Sequence, residues 1–553
     1  MFKENTKHEQ GNLFGIEQDL DARLKKKLEK HWSTNFYKKV FLDIDEQIFS
    51  PLYDEKIGRG NFPVNILAGM EILKELHRLT DEEMFDRFAF DLSFRRALGL
   101  KDFNEHVLAE RTFYYFRSAS AEYELNNGVN LMMAIFKKLR DEYIRELGIK
   151  SGAQRSDSAM IGANIKRMSR LMLFHKALSN LVRDIKLMEG LVPEKIEAVV
   201  SDDEDNFCYR LKRDEYAART KELAEYIYLL VNQYRDDWRV CDGKSYSQAR
   251  RLLEEQCIVT EMKPIELKDP KNISSSSMQN PADDDATYRK KNNTEHRGYA
   301  VHATETCDPE NEIQIITDID LVENNVDDAA VLSEKIEMLK EETGLDTIIT
   351  DGGFVSDETR AACDENGVLF VTSAIRGKSS DDIKNETITS RDFTTDPEDG
   401  KITACPHGHL PRSQKVEENT ITANFDPGIC SQCDKNSECP AFKSEKLSRI
   451  VIDDKRRWLD ERTELLKTEP YRTLCGLRPP VEGLMSCVKP KYLRGRILFR
   501  GKAKVKKRMI LKAIAINCKR YWAYSLSSLI FYATRLFDFI KTNCTVVLFQ
   551  KMA

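Results

Sequence analysis

Apolar positions repeat with the period of a helix over roughly the first 150 residues of the chain. Pro63 opens a helix carrying Ile66, Leu67, Met70 and Leu73 on one face. Thr80 and Glu83 form a capping box for the next, which carries Met84, Phe85, Phe88 and Leu92. Small, mixed residues around Asp157 predict a strand. From Arg167 to about Lys263 the pattern turns helical again, as at Leu223, Ile227 and Leu230, and reads as a helical insertion. His296 to Cys307 and Glu312 to Val322 read as two strands around an Asp308-Pro309 turn. Beyond Val326, helix and strand alternate. Val331, Leu332, Ile336 and Leu339 mark a helix closed by Gly344, Thr347 to Thr350 is a short strand, Ser356 caps another helix, and Val368 to Thr372 is a further strand. Strands spaced by helices imply parallel pairing in an α/β sheet.

Length and composition narrow the class. The 553 residues suffice for about two to four domains, and 41% hydrophobic with 32% charged residues reads as globular. No apolar run reaches the roughly 18 residues of a membrane span, and the N-terminus lacks the apolar core of a signal peptide. A cytoplasmic chain follows, in which the 13 cysteines are mostly reduced and clustered ones suggest metal. Cys405, Cys430, Cys433 and Cys439 form such a cluster. Four thiolates suit a closed, structural zinc site, His407 or His409 could replace one of them, and free thiols are the alternative.

Two other features have more than one reading. Arg95, Arg96, Arg111 and Arg117 follow the paired N-terminal helices and suit a helix-turn-helix-like DNA reader, or else the region is a bundle for dimerisation. Asp283 to Asp285 could bind a cation, although such runs more often sit solvated in a loop.

The stretch from Arg478 to Arg508 carries most of the chemistry. Two prolines suit the first turn of a helix, Val481, Leu484, Met485 and Val488 fall at helical spacing, Glu482 is its one carboxylate, and Pro490 stops it. Lys489 to Arg508 then holds ten Lys or Arg and no acid, in a chain of net charge −5. A polyanion is the natural partner, a solvated face the plainer reading. Arg478 and Lys489 flank Glu482 at one and two helical turns, so all three can share one edge. Asp351 ends the Thr347 to Thr350 strand and precedes Gly352 and Gly353, where open α/β sheets bind ligands; a D-G turn is its other reading.

The Arg478, Glu482, Lys489 spacing resembles the carboxylate-bearing helix of DDE transposases of bacterial insertion sequences, with Cys475 where a tyrosine commonly stands and Tyr471 one turn earlier. The segment around Asp157, followed by Ala163 to Arg167, is similar to the first-aspartate segment of these transposases, and D-G-G-F at Asp351 to the second. Most similar is the insertion-sequence family numbered 1182, a relative of those numbered 4 and 5, whose members carry a comparable cysteine-bearing insertion.

The resemblance implies an α/β RNase H-like catalytic domain with helical and zinc-ribbon-like insertions, preceded by an all-α N-terminal domain. The expected division is 1–150 for the helical DNA-binding or dimerisation domain, and 151–375 for the first part of the catalytic domain with its insertion at about 167–263. Residues 376–470 would form the cysteine-rich insertion, and 471–553 the carboxylate helix, basic segment and C-terminal helices. Asp157, Asp351 and Glu482 would bind two Mg²⁺ or Mn²⁺ ions for in-line phosphoryl transfer. Water would attack first, and the released 3′-hydroxyl would then attack another strand. Arg478, Lys489, Lys491, Arg494, Arg496, Arg500, Lys502 and Lys504 would contact DNA. The implied partners are double-stranded terminal inverted repeats and target DNA, held by a homodimer or higher multimer at the bacterial nucleoid, with no membrane. A catalytically inactive DNA-binding derivative and a hydrolytic nuclease are the competing functions.

Overall fold

The computed structural model describes residues 1–10, 20–54, 58–103, 105–201, 203–260, 263–291, 293–375, 388–417, 419–490 and 495–524. Lys491 and Arg494 of the basic segment lie outside them, as does everything after 524.

The helical periodicity of the N-terminal region is realised in helices Val64–His77, Asp81–Phe90, Leu92–Ala97, Glu110–Asn127 and Leu131–Leu147. The capping box forms as its sequence requires, with Glu83 N donating to Thr80 Oγ1 at 3.1 Å and Thr80 N to Glu83 Oε2 at 2.7 Å. Helix Val64–His77 departs from the one-face expectation, because it is buried all round, Glu71, Lys74 and Glu75 included. Ion pairs make this burial tolerable: Glu71 meets Arg117 and Lys507, Lys74 meets Asp81, and Glu75 meets Arg508.

The arginines expected on the surface of this region are largely inside it. Arg95 is 2% exposed and donates to the carbonyls of Phe88 (3.0 Å) and Glu105 (2.8 Å), closing the loop after its helix. Arg117 lies between Glu71 and Asp81, and Arg96 donates to Thr34 Oγ1 at 3.0 Å. Arg111 alone of the four stays exposed, against Tyr115. Backbone and acid partners thus consume the charge that a DNA reader would have displayed.

A six-stranded mixed sheet follows, from β1 Ala153–Gly162, β2 Thr287–Lys291, β3 Thr294–Thr306, β4 Ile316–Glu323, β5 Thr347–Thr350 and β6 Leu369–Thr372. β1 runs antiparallel to β3 and parallel to β5, which runs parallel to β6; β3 also pairs antiparallel with β2 and β4. At the junction, Gly298 has φ 149°, and a β-carbon there would stand 2.2 Å from the Ile161 carbonyl oxygen, so only glycine fits. Two short helices, Asp328–Ser333 and Ile336–Thr343, replace the single one expected between β4 and β5. The insertion after β1 spans helices from Arg170 to Gln256 and has its own core around Phe174, Leu178, Ile227 and Leu252.

The three aspartates differ in exposure, Asp283 being buried, Asp284 half-buried and Asp285 exposed, and each has a partner. Asp283 is buried and accepts from Tyr299 Oη at 2.5 Å, Asp284 accepts from Lys244 and Gln248, and Asp285 accepts the backbone N–H of Lys502. They tie the connector to β3, to the insertion and to the C-terminal helix.

That last helix occupies 502–524 and packs Val505, Met509, Ile510 and Ile514 into the main core, between the helical region and the sheet. Burial alone would raise the Glu71 carboxyl, but Lys507 and Arg117 overcome it and hold it at about 2. Because that value lies below the ordinary 4.5, the stability Glu71 adds is present above about pH 4.5 and is lost as pH falls towards 2. Glu71→Gln would leave the buried Lys507 without its acid and Arg117 with Asp81 alone, and should cost about 3 kcal/mol at neutral pH in denaturant unfolding. An unchanged midpoint would show that the network does not hold the helical region to the last helix.

Candidate active site

The sheet and one helix bring Asp157, Asp351 and Glu482 around a single guanidinium. Asp157 lies mid-strand on β1, opposite Ala303, with its side chain 13% exposed; its Oδ1 accepts the Ser158 N–H at 2.8 Å. Asp351 follows β5, the parallel neighbour of β1, so the two aspartates lie at adjacent strands. Its Oδ1 caps the turn Gly352–Phe354 by accepting the Gly353 N–H at 2.8 Å. Glu482 stands in the first turn of helix Val481–Val488, whose buried face of Val481, Leu484, Met485 and Val488 matches the apolar spacing.

Arg478 Nη2 lies 3.3 Å from Asp157 Oδ2 and 3.5 Å from Asp351 Oδ2, and its Nη1 lies 3.5 Å from Glu482 Oε1. These contacts are long beside the roughly 2.7–2.9 Å of a tight charge-assisted hydrogen bond, so the guanidinium is shared among the acids and saturates none. Burial raises the Asp157 pKa, and the charges of Asp351 and Asp328 add to it, against the opposing pull of the Ser158 N–H and Arg478. Hard carboxylate oxygens gathered around one cation fit a site for Mg²⁺ or Mn²⁺.

The helix is shorter than the arginine-to-lysine spacing. The Pro479-Pro480 pair and Pro490 confine it, so Arg478 precedes it and Lys489 caps its end. Arg478 turns to the acids, while Lys489 is exposed and, with Arg496, lines a cavity of about 790 Å³ beside Ser158 to Ile165. Arg167, Lys291, His296 and Arg297 line the same cavity, and sequence periodicity marked none of them for DNA.

The rest of the basic segment divides. Arg500 is exposed with its Nε donating to the Asn164 carbonyl at 2.9 Å, and Lys504 is exposed. Lys502 pairs with Glu323 at 2.7 Å, Lys506 with Asp320 at 2.8 Å, Lys507 with Glu71 and Arg508 with Glu75. Much of the run therefore neutralises acids within the fold. Tyr471 and Cys475 face the end of β6: the Thr372 N–H donates to Tyr471 Oη at 3.0 Å, and Cys475 Sγ lies 3.6 Å from the Thr372 carbonyl oxygen. Burial pushes the Cys475 thiol up to about 11.

Cys405, Cys430, Cys433 and Cys439 converge, with His407 and His409, on a cavity of about 30 Å³ at the edge of an antiparallel sheet of Ser413–Glu417, Thr420–Phe425, Phe442–Lys443 and Ser448–Ile452. Cys405 N donates to the His409 carbonyl at 2.9 Å, and Gly408 N to the Cys405 carbonyl at 2.7 Å, which folds the knuckle. Ligand atoms of His407, Cys433 and Asp434 lie within 4.8 Å of one another, and His407 Nε2 is 2.8 Å from Asp434 Oδ1. Asp434 was not legible as a neighbour of these side chains, since an acid beside a cysteine has no distinguishing spacing. Burial, with the Cys430 and Cys405 thiols beside it, pushes the Cys439 thiol up.

Crowded acids make the cleft costly without a cation. Asp157→Asn should therefore raise the melting temperature of the protein in chelator, by about 1 °C for a gain near 1 kcal/mol in a chain of this length. A lower melting temperature would show that Arg478 already offsets the repulsion.

Two segments of the chain match known families. Residues 404–522, which include Glu482, Arg478 and the four cysteines, match the family described as Transposase DDE domain; residues 23–119 match the one described as Transposase domain (DUF772). No curated protein and no solved structure matches the chain. No helix among the described residues is long and apolar enough to cross a membrane. The chain thus carries two transposase domains, one of them a DDE domain, and these indicate a DNA-binding transposase.

Proposed function

We propose that this transposase cuts DNA at the ends of an insertion sequence and joins the released 3′-hydroxyl to another strand, with Asp157, Asp351 and Glu482 as its catalytic acids. One observation carries the reading: three acids remote in sequence surround the single guanidinium of Arg478. Two Mg²⁺ or Mn²⁺ ions held there would supply Lewis-acid activation of the attacking and leaving oxygens. The chain's own residues do the positioning. Backbone N–H groups of Ser158 and Gly353 fix the aspartates, and Lys489 and Arg496 line the adjoining cavity, where they would hold the phosphate backbone. The strand pairing, with β4, β3 and β1 antiparallel, β5 and β6 continuing parallel to β1, and β2 added on β3, supports an RNase H-like domain interrupted after β1 by the helical insertion.

The finer reading is of the family numbered 1182, acting on terminal inverted repeats as a dimer or larger multimer at the nucleoid. The intact set of acids favours an enzyme over a non-cutting DNA-binding derivative. Asp351→Ala and Glu482→Ala should each lower metal-dependent nicking of transposon-end duplex by at least about a thousandfold, with binding in a gel shift retained. Cutting by both at the parental rate would remove these acids from the chemistry. Cutting by the parent without any joined product would make the protein a nuclease.

We also infer a structural zinc held by Cys405, Cys430, Cys433 and Cys439, with His407 able to replace one thiolate. Its support is the convergence of these side chains on one small cavity. Purified protein should contain one zinc per chain by atomic absorption, and Cys433→Ser should lower both the zinc content and the melting temperature. Metal-free protein with an unchanged melting temperature would reduce the cluster to free thiols.

A further inference from the structure

A fourth acid stands beside the three. Asp328 begins the helix Asp328–Ser333 between β4 and β5; it is 7% exposed, and its Oδ1 has no hydrogen-bond partner. His302 on β3, 4% exposed, brings Nε2 to 3.4 Å from that oxygen, yet the approach is not a hydrogen bond, and Nε2 has no other partner. Lys335, the nearest ammonium in sequence, is engaged with Asp318 at 2.5 Å and Asp320 at 3.1 Å.

A carboxylate buried without a cation or a full set of donors is costly, and folds that retain one usually give it a metal or a charged partner. The position of Asp328 identifies which. A β-carbon built on Gly353 would stand 2.9 Å from Asp351 Oδ1 and 3.9 Å from Asp328 Oδ2, so the two carboxylates flank the same glycine. Among the described residues, Arg478 is the cation in contact with Asp157, Asp351 and Glu482, and Asp328 shares none of those contacts.

The geometry points to Asp328 as a fourth carboxylate of the divalent-cation pocket, contributing to the hold on the ion that Asp157 and Asp351 take up. The inference rests on the proposed metal-dependent function and adds a residue that neither the motif spacing nor the family matches single out. An octahedral ion that keeps several waters has room for such a group, directly or through one of those waters.

Mn²⁺ binding to the full-length protein without DNA, followed by electron paramagnetic resonance, tests it independently of cleavage. Asp328→Asn should weaken Mn²⁺ binding by about tenfold or more, alongside a larger loss in Asp351→Asn, while Asp399→Asn, an exposed acid in the cysteine-rich region, binds as the parent does. Parental affinity in Asp328→Asn, with affinity lost in Asp351→Asn, overturns the inference and leaves the proposed function standing. Parental affinity in both overturns the two together. If Asp328→Asn does not fold, Fe²⁺ with ascorbate and peroxide on the parent decides the matter, because hydroxyl radicals cut the backbone beside the bound ion. Cuts around Asp328 as strong as those around Asp351 support the assignment, and cuts around Asp157 and Asp351 alone overturn it.

Discussion

The cleft depends on one guanidinium holding together acids that would otherwise repel. Like charges gathered around one site repel, most strongly at the buried Asp157 and least at Glu482, which is 69% exposed. Arg478 offsets this only in part, at 3.3–3.5 Å from each acid, too far to satisfy any of them fully. Such an arrangement stabilises the cluster yet leaves its oxygens open to a better cation. The sheet makes the cluster possible: parallel pairing of β1 and β5 brings two aspartates to neighbouring strands, and helix Val481–Val488 packs its apolar face inward with Glu482 at its first turn.

The basic segment serves two ends that its composition does not distinguish. Lys502, Lys506, Lys507 and Arg508 meet acids of β4 and of helix Val64–His77, and Arg520, further along the same helix, meets the fully buried Glu305, which also binds Arg155 of β1. These contacts fix the last helix between the helical region and the sheet. Lys489, Arg496, Arg500 and Lys504 keep their exposure, and two of them border the cavity next to Asp157. The geometric difference is one of helical face. Within 502–524 the bases on the inward side find acids, whereas before it Lys489 and Arg496 line the cavity.

What could be read from the residues was what is local. The capping box, the apolar face of the Glu482 helix, the β5 strand and the glycine after Thr343 each depend on neighbours a few positions apart, and each is found where the spacing put it. The convergence of the acids was legible only through the order of weak motifs, because no periodicity links residues on β1, β5 and a helix beyond them. Exposure was least legible. Arg95 and Arg117 look like surface residues until their carbonyl and carboxylate partners are known, and Glu71 looks like the polar side of an amphipathic helix. Ion pairs across the fold, such as Glu71 with Lys507, leave no trace in either local pattern. Asp328 escaped for the same reason: one of two adjacent aspartates, it reads as a cap, and Asp327 is indeed the residue that caps.

The acids also differ in how firmly they are held. Asp157 and Asp351 each spend one oxygen on a backbone N–H, from Ser158 and Gly353, and turn the other towards Arg478. Their orientation is thus set by the main chain, and at Asp351 by a glycine whose β-carbon would collide with the carboxylate at 2.9 Å. Phe354, buried and edge-on to His302, anchors that turn to β3. Glu482 is 69% exposed, and among the described residues its carboxylate meets only Arg478. A site with two fixed oxygens and one adjustable arm loses little side-chain entropy on the rigid side and can complete its coordination when substrate and cation arrive together. Since Arg478 contacts the fixed and the adjustable acids alike, displacing it from the first pair also releases the third.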